Sequence, residues 1–211
     1  MLMIQTAFAV LVVFVLVLSG ELLWRHKKVH PEYTRKFVHI SVGTFVAFWP
    51  LFLTPLQIAL LSLAFVAVVG VSYVFGIFKA IHSVQRPTWG EVFFALSVGV
   101  LAYVANNGWI YTAALLHMGL ADGLAAVVGT KFGKSTQYTV LGHRKSAAGT
   151  LSFIAVSAII CAGFFAVTLH AFSWWIIPMI LGAAALENLA IQGLDNVAVP
   201  LFVALWLNML R

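Results

Sequence analysis

The sequence predicts an all-α, polytopic membrane protein, and three observations lead to this class. Hydrophobic residues make up 63% of the 211 residues, charged residues make up 9%, and the mean hydropathy is +1.04. Soluble globular domains do not have such a composition. Because one membrane crossing takes about 20 apolar residues, the chain is long enough for about seven or eight transmembrane helices in one domain, 1–211, with no separate soluble domain.

Eight apolar runs, each bounded by charged or turn residues, mark the expected spans. They cover residues 2–23, 37–53, 56–78, 90–105, 109–130, 148–169, 174–191 and 197–210. The first run has no basic segment before it and no small-residue cleavage site after it, so we expect a retained span rather than a signal peptide. The single cysteine, Cys161, lies in an apolar run and is expected to be a packing residue.

The charges predict the orientation of these spans. Eleven of the twelve Lys and Arg residues fall on the side of the longer loops, 24–36, 79–89, 131–147 and 192–196. The positive-inside rule makes that side cytoplasmic and places the N-terminus outside. All six acidic residues lie at the same side, which the rule does not require, so a polar site open to the cytoplasm is indicated. The net charge of +6 is explained by topology and does not indicate nucleic-acid binding.

The segment 121–150 carries the first candidate chemistry. Asp122 lies inside the predicted span 109–130, where a carboxylate is costly unless it faces protein or water and has a partner. A cation ligand is the favoured interpretation, and a structural ion pair is the alternative. The small residues beside it, including Gly123, would let either a neighbouring helix or a ligand approach.

The loop after this span is basic and rich in glycine. Lys134, Arg144 and Lys145, with Gly133 and Ser146, precede a helix expected to start near residue 147. Such a loop at a helix N-terminus is suited to binding phosphate groups, although each basic residue alone is also explained by topology. The P-loop pattern is absent.

A second polar group opens the second span. At helical spacing Arg35 shares a face with His39, and Lys36 shares a face with His39 and Gly43, so a cation and an imidazole would point at one ligand. An interfacial anchor with a satisfied histidine is the alternative. His117 precedes Asp122 by about one and a half turns and would reach the same region.

Two further segments place acids at the charged side of the membrane. In Arg86–Glu91 the proline suits a first helical turn, and Glu91 is either a metal ligand or a partner of Arg86. Glu187 and the pair Asp195 and Asn196 flank a break in an apolar run. Irregular backbone at this depth lines a polar cavity or is a plain interhelical turn.

Taken together, these segments resemble the membrane-embedded lipid-alcohol kinases of the dolichol kinase and phytol kinase type and the related CTP-dependent diacylglycerol kinases. The resemblance covers about residues 33–201 and rests on four blocks in order: Arg35-Lys36-x-x-His39-x-x-x-Gly43; Ala121-Asp122-Gly123-x-Ala125 with Gly129 and Phe132-Gly133-Lys134; Lys145-Ser146-x-x-Gly149-Thr150; and Glu187 with Asp195-Asn196-x-x-Val199-Pro200-Leu201. The segment 88–91 matches only loosely, so Glu91 is the weakest assignment.

The resemblance implies transfer of the terminal phosphoryl group of CTP to a membrane isoprenoid alcohol or a similar lipid hydroxyl, with Mg²⁺. The metal ligands would come from Asp122, Asp195, Glu187 and Glu91. The nucleotide would be held by residues of the basic loop and its surroundings: Lys134, Arg144, Lys145, Ser146, Gly123, Gly133, Gly149 and Asn196. The catalytic set would be Asp122, Lys145, His39, Arg35 and Lys36, with His39 or a metal-bound carboxylate as the base.

Three other functions compete with this prediction. The nearest is a cytidylyltransferase making CDP-lipids, to which the resembled family is related. A small transporter using intramembrane acids is disfavoured because no acid lies near the middle of the membrane on the predicted map. A purely structural subunit would leave the basic loop unexplained. The partners expected are the lipid alcohol, the nucleotide and membrane lipids, and the sequence leaves a homo-oligomer open.

Overall fold

The computed structural model describes residues 2–25, 31–75, 89–168 and 171–210, and helices dominate them. The all-α class is therefore confirmed. The α-helices of these residues, in order, are α1 (Leu2–Arg25), α2 (Pro31–Ala47), α3 (Pro55–Phe75), α4 (Gly90–Val104), α5 (Gly108–Leu116), α6 (Asp122–Phe132), α7 (Ala147–Thr168), α8 (Ile176–Leu189) and α9 (Asp195–Met209). Short 3₁₀ turns at Trp49–Leu51 and Lys134–Thr136 and a π turn at His117–Ala121 connect some of them.

Among the described residues, four helices are long and apolar enough to cross a membrane. They are Leu2–Arg25, Pro55–Ser72, Gly108–Phe132 and Ala147–Thr168. Three shorter helices, Gly90–Val104, Ile176–Leu189 and Asp195–Met209, are also apolar. The protein is thus a helical membrane protein, while the total of seven or eight spans and the outside position of the N-terminus remain predictions.

The helix at the centre of the bundle is the continuous segment Gly108–Phe132, made of α5, the π turn and α6. In its apolar 18-residue window 61% of the residues are buried inside the protein, against 11% in the corresponding window of Leu2–Arg25. The Asn107 side chain caps its start by accepting a hydrogen bond from the backbone N–H of Ile110 at 2.8 Å. Asp122 is the fifteenth of the 25 residues of this segment, past its midpoint toward the C-terminal end. The expectation that no acid lies near the middle of the membrane stays a prediction.

Hydrogen bonds between helices define two ends of the bundle. At one end Gln57 of α3 donates to Thr6 of α1 at 2.8 Å, and Asn208 of α9 donates to the Val104 carbonyl of α4 at 2.8 Å. At the other end Asn196 of α9 donates to the Gly90 carbonyl of α4 at 2.9 Å. The ion pairs of the candidate site described below lie at this second end, the polar end.

The second helix and the basic loop differ from the predictions. α2 begins at Pro31 rather than at 37, because a proline is favoured in a first turn and hydropathy does not register the polar turns that follow. The predicted loop 131–147 contains an antiparallel hairpin of β1 (Gln137–Val140) and β2 (His143–Ser146). Leu141 and Gly142 form its two-residue turn with φ of 48° and 81°, as in type I′ turns.

Some predicted features lie outside the described residues. They are the basic residues Lys27, Lys28, Lys79 and Arg86, the Pro87–Thr88 dipeptide, and the ends of the predicted spans at 76–78 and 169. The predicted packing role of Cys161 is confirmed, since it is a buried free thiol in α7.

Candidate active site

A buried ion pair between α2 and α6 is the centre of the site. The Lys36 Nζ lies 2.8 Å from Asp122 Oδ2, and the two side chains are 8% and 7% exposed. The His39 Nε2 lies 3.4 Å from the same oxygen. Removing one member of such a pair would leave the other charge buried and uncompensated, so Lys36 and Asp122 depend on each other. All three residues were predicted from the sequence as members of the site, but the pairing of Lys36 with Asp122 was not.

Glycines bring α2 against the central helix at this point. A Cβ at Gly43 would lie 2.9 Å from Gly119 Cα, and a Cβ at Gly119 would lie 3.0 Å from Gly43 Cα. A Cβ at Gly123 would overlap the Ile40 side chain. The two backbones are in direct contact, as small residues allow between membrane helices. Of the two interpretations of Gly123, the structure shows close approach of a neighbouring helix; contact with a nucleotide remains a prediction.

The π turn supplies a hydrogen-bond acceptor for His39. Its Nε2 lies 3.0 Å from the Met118 carbonyl oxygen. Since a carbonyl only accepts, Nε2 carries the hydrogen, and Nδ1 of the neutral ring is then an acceptor. π turns inside α-helices are frequent at functional sites. His117 is fully buried, and its Nδ1 bonds the Ala113 carbonyl within the same helix at 2.7 Å rather than a group of the site.

A second ion pair joins the hairpin to α8. The Lys145 Nζ lies 2.5 Å from Glu187 Oε1 and 2.8 Å from the Glu187 carbonyl oxygen. Burial disfavours the charged ammonium, but attraction to Glu187, Asp122 and Asp195 outweighs this effect and raises the pKa of Lys145. Lys145 is therefore a stable cation that faces the same group of carboxylates as Lys36.

The start of α9 brings a third carboxylate to the site. Asp195 is within electrostatic range of Asp122, Lys36, Lys145 and His39. It follows a turn in which Gly193 has φ of 90° and contacts the Gly90 backbone, so that a Cβ at Gly193 would overlap Gly90. The interruption predicted before Asp195 is thus a tight interhelical turn that lines the polar end.

A small pocket of about 60 Å³ lies beside His39, and valine and phenylalanine side chains line much of it. We call it the polar pocket because its remaining lining is polar. Arg35, His39, Glu91 and Asn196 line it, so Arg35 and His39 do share a face of α2 as predicted. Arg35 also pairs with Glu32 at 2.8 Å and lies within electrostatic range of Glu91. Glu91 is therefore at the site, on the side of His39 that faces the pocket.

The rest of the predicted phosphate loop is arranged differently from the expectation. Lys134 and Arg144 are both exposed. For Arg144 the reason is that neighbouring residues of a strand point to opposite sides, so Arg144 points away when Lys145 points inward. The buried Ser146 hydroxyl accepts from the Gly149 N–H at 3.2 Å and caps α7. A Cβ at Gly133 or Gly149 would meet Ser146 and the α6 backbone. Ser146, Gly133 and Gly149 therefore serve α6–α7 packing, and their contact with a nucleotide remains a prediction.

The hairpin contributes a residue that sequence reasoning missed. The Tyr138 hydroxyl lies 2.6 Å from the Thr150 hydroxyl and donates to the Asn188 side-chain oxygen at 2.5 Å. This network ties the hairpin to α7 and α8 next to Glu187. The alternation of Tyr138 and Val140 with the polar residues Gln137 and Thr139 was the available signal, but it spans only four positions.

The donor chemistry of the site fits a hard divalent cation. Asp122, Glu187 and Asp195 are carboxylates within electrostatic range of one another, so their mutual repulsion would be relieved by a cation. Within the described ranges no three His, Cys, Asp or Glu side chains are grouped closely enough to enclose an ion. Mg²⁺ is usually bound by one or two carboxylates together with substrate phosphates and waters, so a magnesium role for these carboxylates remains a prediction.

The fold and site define a class: a helical membrane enzyme with paired lysines and carboxylates buried at one end of its bundle. A curated phytol kinase of Synechocystis sp. is 35% identical to this chain over 201 aligned residues, covering 90% of this chain and 84% of that protein. The chain therefore belongs to the family of lipid-alcohol kinases, which confirms the resemblance inferred from its motifs. No family model and no solved structure matches the chain.

Proposed function

We propose that this lipid-alcohol kinase transfers the terminal phosphoryl group of CTP to the hydroxyl of phytol or a related isoprenoid alcohol. The observation that carries the proposal is the 35% identity to a phytol kinase along 90% of the chain. It is supported by a site in which His39 stands between a buried carboxylate and a polar pocket. CTP as the donor follows from the family resemblance of the motifs.

In the proposed reaction His39 accepts the proton of the alcohol. Its Nε2–H is held by the Met118 carbonyl and by Asp122, so Nδ1 is the nitrogen available to a hydroxyl in the pocket. Asp122 fixes the ring and stabilises the imidazolium that forms. The alcohol oxygen bonds to the γ-phosphorus of CTP, the bond from that phosphorus to the β–γ bridging oxygen breaks, and CDP leaves with the electron pair.

Lys36 and Lys145 offset the charge of the transferring group. Positioned cations act strongly in such a site because water is largely excluded from it. Lys145 is held by a hairpin rather than by a long helix, so we expect it to exchange Glu187 for a phosphate oxygen when nucleotide binds. Asp122 and Asp195, with Glu187 or Glu91 as a further ligand, would hold Mg²⁺, which would supply stabilisation of the phosphate charge there.

The proposed site faces the cytoplasm, where the nucleotide is. The orientation follows from the excess of basic residues on the side of the polar end. A cysteine placed at Arg144, which is exposed on the hairpin, should react with an impermeant maleimide in inside-out but not in right-side-out vesicles. The reverse pattern would overturn the orientation.

The activity is tested with purified protein in detergent, Mg²⁺, and CTP or ATP labelled in the γ-phosphate. The acceptors are phytol, farnesol, a long polyprenol, dolichol and diacylglycerol. We expect label in the organic phase with CTP and an isoprenoid alcohol, together with an equal amount of CDP. Label from ATP alone would overturn the choice of donor. Pyrophosphate release with CDP-lipid formation from phosphatidate would identify a cytidylyltransferase instead.

A further inference from the structure

An apolar cavity of about 190 Å³ lies between the helix pairs α1–α2 and α3–α4. Apart from Ser62, Ser72 and the indole of Trp49, its lining within the described residues is aliphatic or phenyl. The Ser62 hydroxyl is already used, since it donates to the Ala95 carbonyl at 2.6 Å. The cavity therefore suits a ligand, or a part of a ligand, that has no hydrogen-bonding groups.

This cavity adjoins the polar pocket beside His39. The two spaces share four lining residues, Val17, Val42, Phe65 and Phe94. The Phe94 ring packs edge-on against His39, with centroids 5.4 Å apart. An apolar space and a space lined partly by polar side chains are thus neighbours beside the candidate base.

Asn196, which lines the polar pocket, has a hydrogen-bond acceptor without a partner among the described residues. Asn196 is 7% exposed, its amide nitrogen donates to the Gly90 carbonyl at 2.9 Å, and its Oδ1 is buried without a partner among the described residues. Leaving such a group unpaired is costly unless a ligand donates to it. A hydroxyl in this pocket would meet Asn196 Oδ1 as it enters and His39 Nδ1 when its proton is transferred.

We infer that the cavity binds the isoprenoid chain of the acceptor alcohol and the polar pocket binds its hydroxyl. This inference rests on the proposed function and adds a basis for selecting the alcohol. From His39 to Trp49, α2 and the turn after it rise about 15 Å. The Gln57–Thr6 hydrogen bond holds α1 and α3 together at the end of the space far from His39. We therefore expect the short chain of phytol to be bound better than the much longer chain of a dolichol.

The test uses a phytol analogue with a photoactivatable diazirine in its chain, added to the full-length protein without nucleotide. We expect labelled peptides from α1 and α3, and suppression of the labelling by excess phytol. Labelling confined to other helices would overturn the inference. Suppression by phospholipid but not by phytol would also overturn it, because the cavity would then hold a structural lipid.

A pair of variants on one helix tests the fit. Val13 lines the cavity, whereas Val15 is 51% exposed and does not line it. Val13→Trp should lower labelling and raise KM for phytol about tenfold or more, since side-chain volume in an apolar pocket discriminates on this scale. Val15→Trp should behave as the parent protein. Equal effects of the two variants would overturn the inference.

A second variant and the kinase assay distinguish failure of the proposed binding site from failure of the proposed function. If Val13→Trp does not elute as a single species in size exclusion, Val68→Trp on α3, which also lines the cavity and is 49% exposed, replaces it. Specific labelling of α1 and α3 without phosphorylation of any alcohol would remove the proposed function and keep the binding site. Normal kinase activity with labelling of other helices would remove the binding site and keep the proposed function.

Discussion

The two lysine–carboxylate pairs of the site differ in what holds them. Lys36 and Asp122 come from helices whose backbones touch, and both side chains are less than a tenth exposed. Lys145 comes from a two-stranded hairpin and is 21% exposed, whereas its partner Glu187 is 8% exposed. The first pair lies in the interior between two contacting helices, while the second has one partner on the hairpin. We call the first the rigid half of the site and the second the adjustable half, because in the proposed function the hairpin shifts when Lys145 receives a phosphate.

The largest effect should come from removing the fixed carboxylate. Asp122→Asn keeps the shape of the side chain but loses the charge that contacts His39 and that binds the cation in the proposed mechanism, and it leaves Lys36 buried without its partner. We expect turnover to fall by at least about 100-fold, as for other preorganised electrostatic groups. Phosphoryl transfer to phytol is measured, with size exclusion as the check on folding. Turnover within about tenfold of the parent would remove Asp122 from both roles.

The next effect concerns stability as well as activity. Lys36→Met leaves the Asp122 carboxylate buried without its cation, which should destabilise the protein by about 3–5 kcal/mol. The double variant Lys36→Met/Asp122→Asn should recover much of this stability, because no uncompensated charge remains, but no activity. Thermal unfolding in detergent provides the comparison. A double variant less stable than Lys36→Met would show that the two residues do not act as a pair.

A smaller effect, confined to nucleotide binding, is expected for the pair of Lys145 and Glu187. Lys145→Met should raise KM for CTP by about ten- to hundredfold, the worth of one charge-assisted hydrogen bond, and leave KM for the alcohol unchanged. Arg144→Met is the matched control, because Arg144 is the adjacent residue of β2 and is exposed. If both variants raised KM for CTP equally, the nucleotide would be bound by general positive charge rather than by Lys145.

The smallest effect tests the hairpin itself. Gly142 has φ of 81°, so Gly142→Ala should cost about 1–2 kcal/mol of local stability. We expect a slightly higher KM for CTP and an unchanged melting temperature of the helical bundle, measured by hydrogen exchange of the hairpin and by thermal unfolding. A large loss of bundle stability would show that the hairpin and the helical half of the site are not independent of each other.

The rigid half was largely predictable, because a carboxylate in an apolar run and a cation–histidine spacing of three or four residues are visible locally. The pairing of Lys36 with Asp122 was not, since 86 residues separate them and each had several candidate partners. The hairpin was missed because its strands have four residues each and its turn is Leu-Gly rather than Asn-Gly. The glycines predicted to contact phosphate also make close helix contacts, which depend on tertiary packing and are not visible in the sequence.

The contact between Gly43 and Gly119 has a consequence for how this protein can change over time. His39 lies one turn from Gly43, and Asp122 lies three residues after Gly119, so the distance between them is set by main chain against main chain. Of the side chains along the apolar cavity, Phe94 lies beside that contact, because its ring is 3.4 Å from a Cβ placed at Gly43 and packs against His39. The cavity side chains of α1 and α3 belong to other helices. In the proposed mode of binding, selection retunes the preference for one alcohol over another by exchanging these side chains, and the spacing that positions the reacting groups is inherited unchanged.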